Sequence, residues 1–412
     1  MALSPATSAE NTQLLLNALR PDQTSKSWED DRMRLNADWD DLAVRAIVLG
    51  LAPQFHHRLA QWGLAPAPRA AAKLTATYQA GVKRAADVYT QLGEVLTAFS
   101  ANGLCPIALK GIHLAAAVYP DPALRPMNDI DLLFEAGELP KAESLLAQLG
   151  YSGKHKPADR GAGVTKHTST FRRDAVASPA QRGAASTPNP YLSPDSDRMI
   201  EPHTSLEESW FGLKVDVTPG VRERAIEIEL GRQPARVLAR EDLLLHLCVH
   251  FCFHLIMGAP SMVQLTDLLA VIHTPALPHP HTPIDWPLFT TRALDHRAAP
   301  YALAALTLAG KLLGASAPAQ SLDSLRQATP PPLRRRIESL GLADVLRRTQ
   351  QKPITKFSQR IARGFSDRAE TARWTQDWRG QWRVWRTALN IFATDTGQLF
   401  LRRNLKSPIP NL

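Results

Sequence analysis

Cysteine is scarce: Cys105, Cys248 and Cys252 are the three in 412 residues, each in apolar surroundings. Thiols so placed do not frame a secreted disulfide scaffold, and a reducing compartment is expected. Long apolar runs are missing too. The most extended, Leu243 to Met257, is interrupted by histidines and is shorter than a membrane span. The opening MALSPATSAENTQ has neither the basic start nor the apolar stretch of a secretory leader. Together these absences set the expectation of a soluble, cytoplasmic protein. No internal repeat is visible, so a repeat architecture has no support.

Apolar residues are plentiful. They make up 44% of the chain, enough to fill the cores of two or three domains and to exclude wholesale disorder. A net charge of +9 favours anionic partners such as nucleotides, nucleic acid or an acidic surface.

Periodicity divides the chain into four regions. Residues 1–101 read as helical, with apolar positions recurring at three and four, and Asn102-Gly103 as the stop. Residues 102–238 change texture. CPIALKG reads as a short strand entering a glycine turn, IHLAAAVYP as a helix ended by Pro120, NDIDLLFE as a strand, and ELPKAESLLAQLGY as an amphipathic helix. That alternation predicts a small mixed α/β unit. Within it, about 152–199 is expected to be a flexible insertion, because AVASPAQRGAASTPNPYLSPDSD has few bulky apolar residues. KHTSTFRRD, Met199 to Leu206 and Leu213 to Thr218 are further candidate strands. Residues 239–326 return to helices that complete a cleft, and 327–412 form a basic, Trp/Arg-rich helical tail.

The chemistry concentrates in one segment. Asp129 and Asp131 are two apart in a strand, so both carboxylates leave the same face. Carboxylates held that close repel each other, which favours a hard divalent cation between them. Mg²⁺, or Mn²⁺ in its place, suits this role: it takes oxygen ligands, polarises an α-phosphate and lowers the pKa of an attacking hydroxyl. Upstream, Lys110-Gly111 closes a strand and opens a helix, where backbone N–H groups and a lysine can hold phosphates. Arg125 supplies a fork-shaped phosphate ligand four residues before Asp129.

The run ALKGIHLAAAVYPDPALRPMNDIDLLFEAGELPKAESLLAQLGY resembles the signature of the uncharacterised nucleotidyltransferase family of the DNA polymerase beta-like superfamily. The similarity continues through VLAREDLLLHLCVHFCFH and LTDLLAVI. The resemblance implies an α+β fold with a polymerase beta-like core between N-terminal and C-terminal helical regions. It places Gly111 in the phosphate-contacting turn and gives Asp129 and Asp131 to the metal. It also implies a Glu-x-His pattern on a later strand, which falls on Glu201 and His203 in MIEPHTSL. Pro202 departs from the usual form, since a proline removes a ladder hydrogen bond. Glu201 is preferred as third carboxylate and Asp216 competes with it.

The implied reaction is metal-dependent transfer of an NMP group from an NTP, expected to be ATP, to an acceptor hydroxyl with release of pyrophosphate. Some members resemble accessory genes of peptide natural-product biosynthesis, so the acceptor is a peptide, protein, small molecule or RNA. The alternative is a catalytically degenerate nucleotide-binding or regulatory protein.

Three features lie outside that core. His246, His250 and His254 share one helical face, a spacing open to zinc, to a substrate-facing role or to packing. Asp267 interrupts an apolar helix and pairs with either a structural partner or the nucleotide. In the tail, Trp374, Trp378 and Trp382 are expected on one helical face beside Arg379, Arg383 and Arg386, with Trp385 near them. Such interleaving fits nucleic acid or an anionic membrane surface, as well as plain packing.

Overall fold

The computed structural model describes residues 5–155, 169–173, 198–274, 283–347 and 357–388. Most of the expected insertion, the proline-rich loop near 280 and the chain beyond 388 lie outside these residues.

Five helices lead the chain: α1 (Pro5–Ala18), α2 (Ser25–Arg34), α3 (Trp39–Val48), α4 (Ala52–Trp62) and α5 (Pro68–Ala101). Local chemistry sets their ends. The Asp38 side chain accepts from the Asp41 N–H at the start of α3, and Gly63, at φ +64°, closes α4. Trp28 is fully buried, donates from Nε1 to the Leu14 carbonyl at 2.9 Å, and sits among Trp39, Phe55 and Trp62.

The mixed unit follows: β1 (Ile107–Ala108), α6 (Lys110–Ala117), a 3-10 turn (Pro122–Leu124), β2 (Asp129–Leu133), α7 (Leu139–Gln148), β3 (Ser152–His155), β4 (Ser169–Arg173) and β5 (Arg198–His203). Then come β6 (Glu208–Trp210), β7 (Leu213–Val215), α8 (Val221–Arg224), β8 (Ile226–Leu230) and β9 (Gln233–Val237). One sheet of seven strands runs β3-β4-β5-β2-β1-β9-β8, and β6-β7 form a separate hairpin. The sheet is mixed, because β2–β5 and β1–β9 are parallel while the other pairs are antiparallel.

Nine helices, two groups of four and a short last one, complete the described chain. α9 (Arg240–Met257), α10 (Met262–His273), α11 (Trp286–Asp295) and α12 (Ala299–Leu313) form the first. α13 (Ala319–Gln327), α14 (Pro331–Ser339), α15 (Leu342–Arg347) and α16 (Phe357–Ala372) form the second, and the short α17 (Trp378–Arg386) follows them.

The sheet centre is buried on both faces, and alternate residues of one strand enter different cores. Ile130 and Leu132 of β2 join a cluster with Val88, Leu92 and Phe99 of α5 and Leu146 of α7. Leu133 joins the larger helical cluster, with residues of α1, α4, α9, α10 and α12. The long α5 belongs to both: Ala70 and Leu74 face the helical cluster, while Ala85 onward faces the sheet. Asp129 and Asp131 have the same parity as Leu133 and therefore share its face.

The strands β8 and β9 complete the sheet beyond β1, and the sequence reading did not assign them. The signal was present in IEIEL-GR-QPARV, an alternating pair around a two-residue turn. Gly231 and Arg232 both have positive φ, 58° and 62°, as that turn requires. The tail also differs from expectation. The helix breaks between α16 and α17, so Trp374 does not share a face with Trp378 and Trp382. It is buried at 1% exposure, stacked on Tyr301 with ring centroids 6.4 Å apart.

Candidate metal site on adjacent parallel strands

Parallel pairing of β2 with β5 brings the acidic residues together. Asp131 stands opposite Glu201, and Leu133 opposite His203. The two-residue period of both strands then places Asp131, Glu201 and His203 on one face. One ligand atom from each lies within 4.8 Å of the others. Asp131 is 3% exposed and His203 is 1% exposed, so the group sits deep against the helical side.

Pro202 is accommodated by where β4 stops pairing. The ladder from β5 to β4 covers Arg198 to Ile200, whereas the ladder to β2 continues to His203. A proline is tolerated at an edge where no donor is required. Beyond the ladder, the Thr170 hydroxyl of β4 donates to Glu201 Oε1 at 3.0 Å and orients that carboxylate.

Lys110 reaches the same site from the turn into α6. Its φ of 44° is unusual for a residue with a side chain. The Leu109 N–H donates to the Asp131 carbonyl, and Lys110 Nζ donates to Asp131 Oδ1 at 3.2 Å. His203 Nε2 lies 2.6 Å from the same oxygen. Burial opposes the lysine's charge, but Asp131, Asp129 and Glu208 outweigh it and hold its pKa above the ordinary value. Asp129 feels the opposite balance. Burial and the neighbouring Asp131 push its pKa up to about 7, despite the favourable field of Lys110.

Arg125 pairs with Asp267, while its charge still reaches Asp129. Its Nε and Nη2 donate to the two oxygens of Asp267 at 3.2 and 2.9 Å, and Nη1 donates to the Pro126 carbonyl at 3.1 Å. Asp267 is fully buried and also accepts from the Tyr119 hydroxyl at 3.0 Å. Gly111 makes this possible, because a Cβ there would collide with the Arg125 guanidinium. The turn carrying Arg125 is supported in turn by Asp121, which accepts from the Ala123 N–H at 2.9 Å and from the Tyr78 hydroxyl. A cavity of about 630 Å³ opens beyond Tyr119, lined also by Gln54, Arg58, Leu124, Thr266 and Leu269. None of the three clustered side chains lines it.

Asp216 is placed elsewhere. It is exposed and accepts from the Thr218 N–H at 2.9 Å and from the Thr218 hydroxyl, which caps its own turn. Among the described residues, Asp131, Glu201 and His203 form the candidate metal-binding group, and Asp216 is not in it.

The sequence reading passed over Glu208 and Thr170. Glu208 on β6 is 3% exposed, its Oε1 lies 2.7 Å from His250 Nδ1, and its field reaches Lys110. It thus joins the histidine face of α9 to the lysine of the site. His246 and His250 have ring centroids 5.8 Å apart, and His250 and His254 4.4 Å. A carboxylate at a strand position beside Trp210 was the available signal, but only the β6–β7 hairpin turns it toward α9.

A mixed sheet bearing clustered carboxylates behind a glycine turn, with helical regions on either side, is a polymerase beta-like nucleotidyltransferase core. The chain belongs to a family within that superfamily, the uncharacterised nucleotidyltransferases, whose model matches residues 36–314. The match begins just before α3 and ends at Gly314, the C-cap of α12. No curated protein and no solved structure matches the chain significantly.

Proposed function

We propose that the protein is a divalent-metal-dependent nucleotidyltransferase that moves an NMP group from an NTP, by expectation ATP, to a hydroxyl acceptor. The observation that carries this reading is the Asp131, Glu201 and His203 group, whose ligand atoms lie within 4.8 Å of one another beside Lys110.

The donor set fits a cation. Asp129, Asp131 and Glu208 act on Lys110, Glu201 stands opposite Asp131, and Arg125 is committed to Asp267. Burial first, and then the neighbouring Asp131 and Glu201 carboxylates, raise the Asp129 pKa to about 7 against the opposing fields of Lys110 and Arg125, so a cation placed there would be favoured. Asp131, Glu201 and His203 would hold the ion, with Asp129 turned toward the same charge from the rim of the strand. When bound, such an ion supplies charge stabilisation at the α-phosphate and activates the acceptor hydroxyl.

The remaining roles belong to the chain. Lys110 neutralises charge gathered on β2 and, at the opening of α6, lies where triphosphate oxygens would meet backbone N–H groups. Glu201, oriented by Thr170, is the carboxylate best placed to accept the acceptor's proton. Arg125 steadies phosphates only by exchanging Asp267 for them. That commitment also favours a second reading, a regulatory protein that binds nucleotide without transferring it.

Incubation with α-labelled NTPs, Mg²⁺ or Mn²⁺ and pools of peptide, RNA and small-molecule acceptors tests the reading. Label transfer abolished in Asp131→Asn and Glu201→Gln supports it. Transfer indifferent to both substitutions removes it, and tight nucleotide binding with no transfer to any pool supports the regulator. A donor set containing an imidazole suits Mn²⁺ better than Mg²⁺, so Mn²⁺ should give the faster transfer.

A further inference from the structure

The three most exposed tryptophans of the described chain stand together on α17, outside the span matched by the family. Trp378 is 71% exposed, Trp382 57% and Trp385 42%. At positions i, i+4 and i+7 they form one stripe. Arg379, Arg383 and Arg386 repeat the same spacing and form a second stripe beside it. The helix WRGQWRVWR contains no acidic residue.

This face is held outward by the opposite one. Gly380 and Val384 are buried against the body, and the Asp377 side chain caps the helix by accepting from the Gly380 N–H at 2.7 Å. Arg368 donates to the Thr387 hydroxyl at 2.9 Å and to its carbonyl at 3.1 Å. Gly212, in the turn between β6 and β7, lies close under the Arg383 carbonyl. α17 is therefore a docked element with a fixed exterior. Two of its arginines already lie over indole rings, Arg379 over Trp378 at 5.5 Å and Arg386 over Trp382 at 5.1 Å.

The geometry points to α17 as a docking surface for an anionic lipid bilayer. Indole rings settle at the boundary between headgroups and acyl chains, while arginine stems beside them extend to lipid phosphates. A net charge of +9 draws the chain to such a surface. The indole stripe flanked by an arginine stripe matches the boundary between acyl chains and anionic headgroups, which offers both chemistries along one plane. The shape favours a bilayer over a nucleic-acid strand. The tryptophans crown a convex helix, whereas single strands are tracked along a basic groove.

Co-sedimentation of the full chain with vesicles tests this. The protein should pellet with mixed phosphatidylcholine and phosphatidylglycerol vesicles and stay in solution with phosphatidylcholine alone. Binding should fall about tenfold or more at high salt, where surface charges are screened. It should also be lost in the triple variant Trp378→Ala, Trp382→Ala, Trp385→Ala. These side chains are exposed, so the melting temperature should stay unchanged. Should that variant unfold, Arg379→Glu with Arg383→Glu serves in its place and should release the protein from anionic vesicles. No pelleting with anionic vesicles, or pelleting undiminished in the folded variant, overturns the inference. It is overturned equally if the tryptophans prove necessary for binding a single-stranded RNA oligonucleotide or for self-association, and not for vesicles.

Discussion

Asp129 and Asp131 leave the same face of β2 but meet different surroundings. Asp131 accepts from Lys110 and lies against His203, both buried, so its charge is compensated. Among the described residues Asp129 makes no such hydrogen bond, and burial and Asp131 raise its pKa to about 7. Substitution should separate the two. Asp131→Asn leaves Lys110 undercompensated and should cost about 3 kcal/mol, read from the urea midpoint. Asp129→Asn removes a carboxylate whose folded pKa lies above its unfolded value. Protonated in both states below pH 4, it leaves the parent at its full stability there, and that stability falls as pH rises through about 7. The Asn variant should therefore match the parent in acid and exceed it at pH 8 by on the order of 2 kcal/mol, while losing label transfer. A variant less stable than the parent at pH 8 contradicts the repulsion on which the metal fit rests.

Gly111 makes a different demand. A methyl group there meets the guanidinium of Arg125, which carries the buried pair with Asp267. Gly111→Ala should cost about 2 to 4 kcal/mol in the parent and below about 1 kcal/mol in an Arg125→Ala background. Equal costs in the two backgrounds would show that Arg125 does not set the requirement.

At the scale of elements, the hairpin β8–β9 meets α5 through glycine on both sides. A Cβ at Gly93 would meet the Gly231 carbonyl at 2.6 Å, and one at Gly231 would meet the Tyr89 carbonyl at the same distance. Backbone atoms cannot swing aside as a flexible side chain can. Gly93→Ala should destabilise by about 2 to 4 kcal/mol, lowering the thermal midpoint of the whole unit because α5 serves both cores. A shift of under a degree would mean that helix and hairpin separate freely. β5 carries its proline without a comparable conflict, since Pro202 lies past the last residue paired to β4.

For the whole molecule, cation binding and stability should be linked. A metal that binds the folded site alone stabilises by about 2.7 kcal/mol at a hundredfold excess over its dissociation constant. Because Asp129 must release its proton as charge accumulates, the gain in melting temperature on adding Mn²⁺ should grow between pH 6 and pH 8. It should vanish in Asp131→Asn. A gain independent of pH and of Asp131 would place the ion elsewhere. The helical regions contribute through an apolar core and through buried ion pairs that cross between elements. Asp242 is enclosed by Arg224 and Arg292, which ties α9 to α8 and α11, and Arg125–Asp267 ties α10 to the loop before β2. No helix among the described residues is long and apolar enough to cross a membrane.

The pairing of Asp129 with Asp131, the glycine turn at Lys110 and the alternation of helices with strands were all legible along the chain. Each depends on neighbours two to four residues apart, and local periodicity reports those directly. Glu201 and His203 entered through resemblance alone, because only the register of β5 on β2 sets them beside Asp131. The union of Glu208 with His250, the commitment of Arg125 to Asp267, the burial of Trp374 apart from the other tail tryptophans and the turn of Asp216 toward Thr218 were decided in three dimensions. Contacts across 42 or 142 residues depend on how sheets and helices stack, and the free energy of that stacking resides in cores shared by distant segments rather than in any local run of sequence.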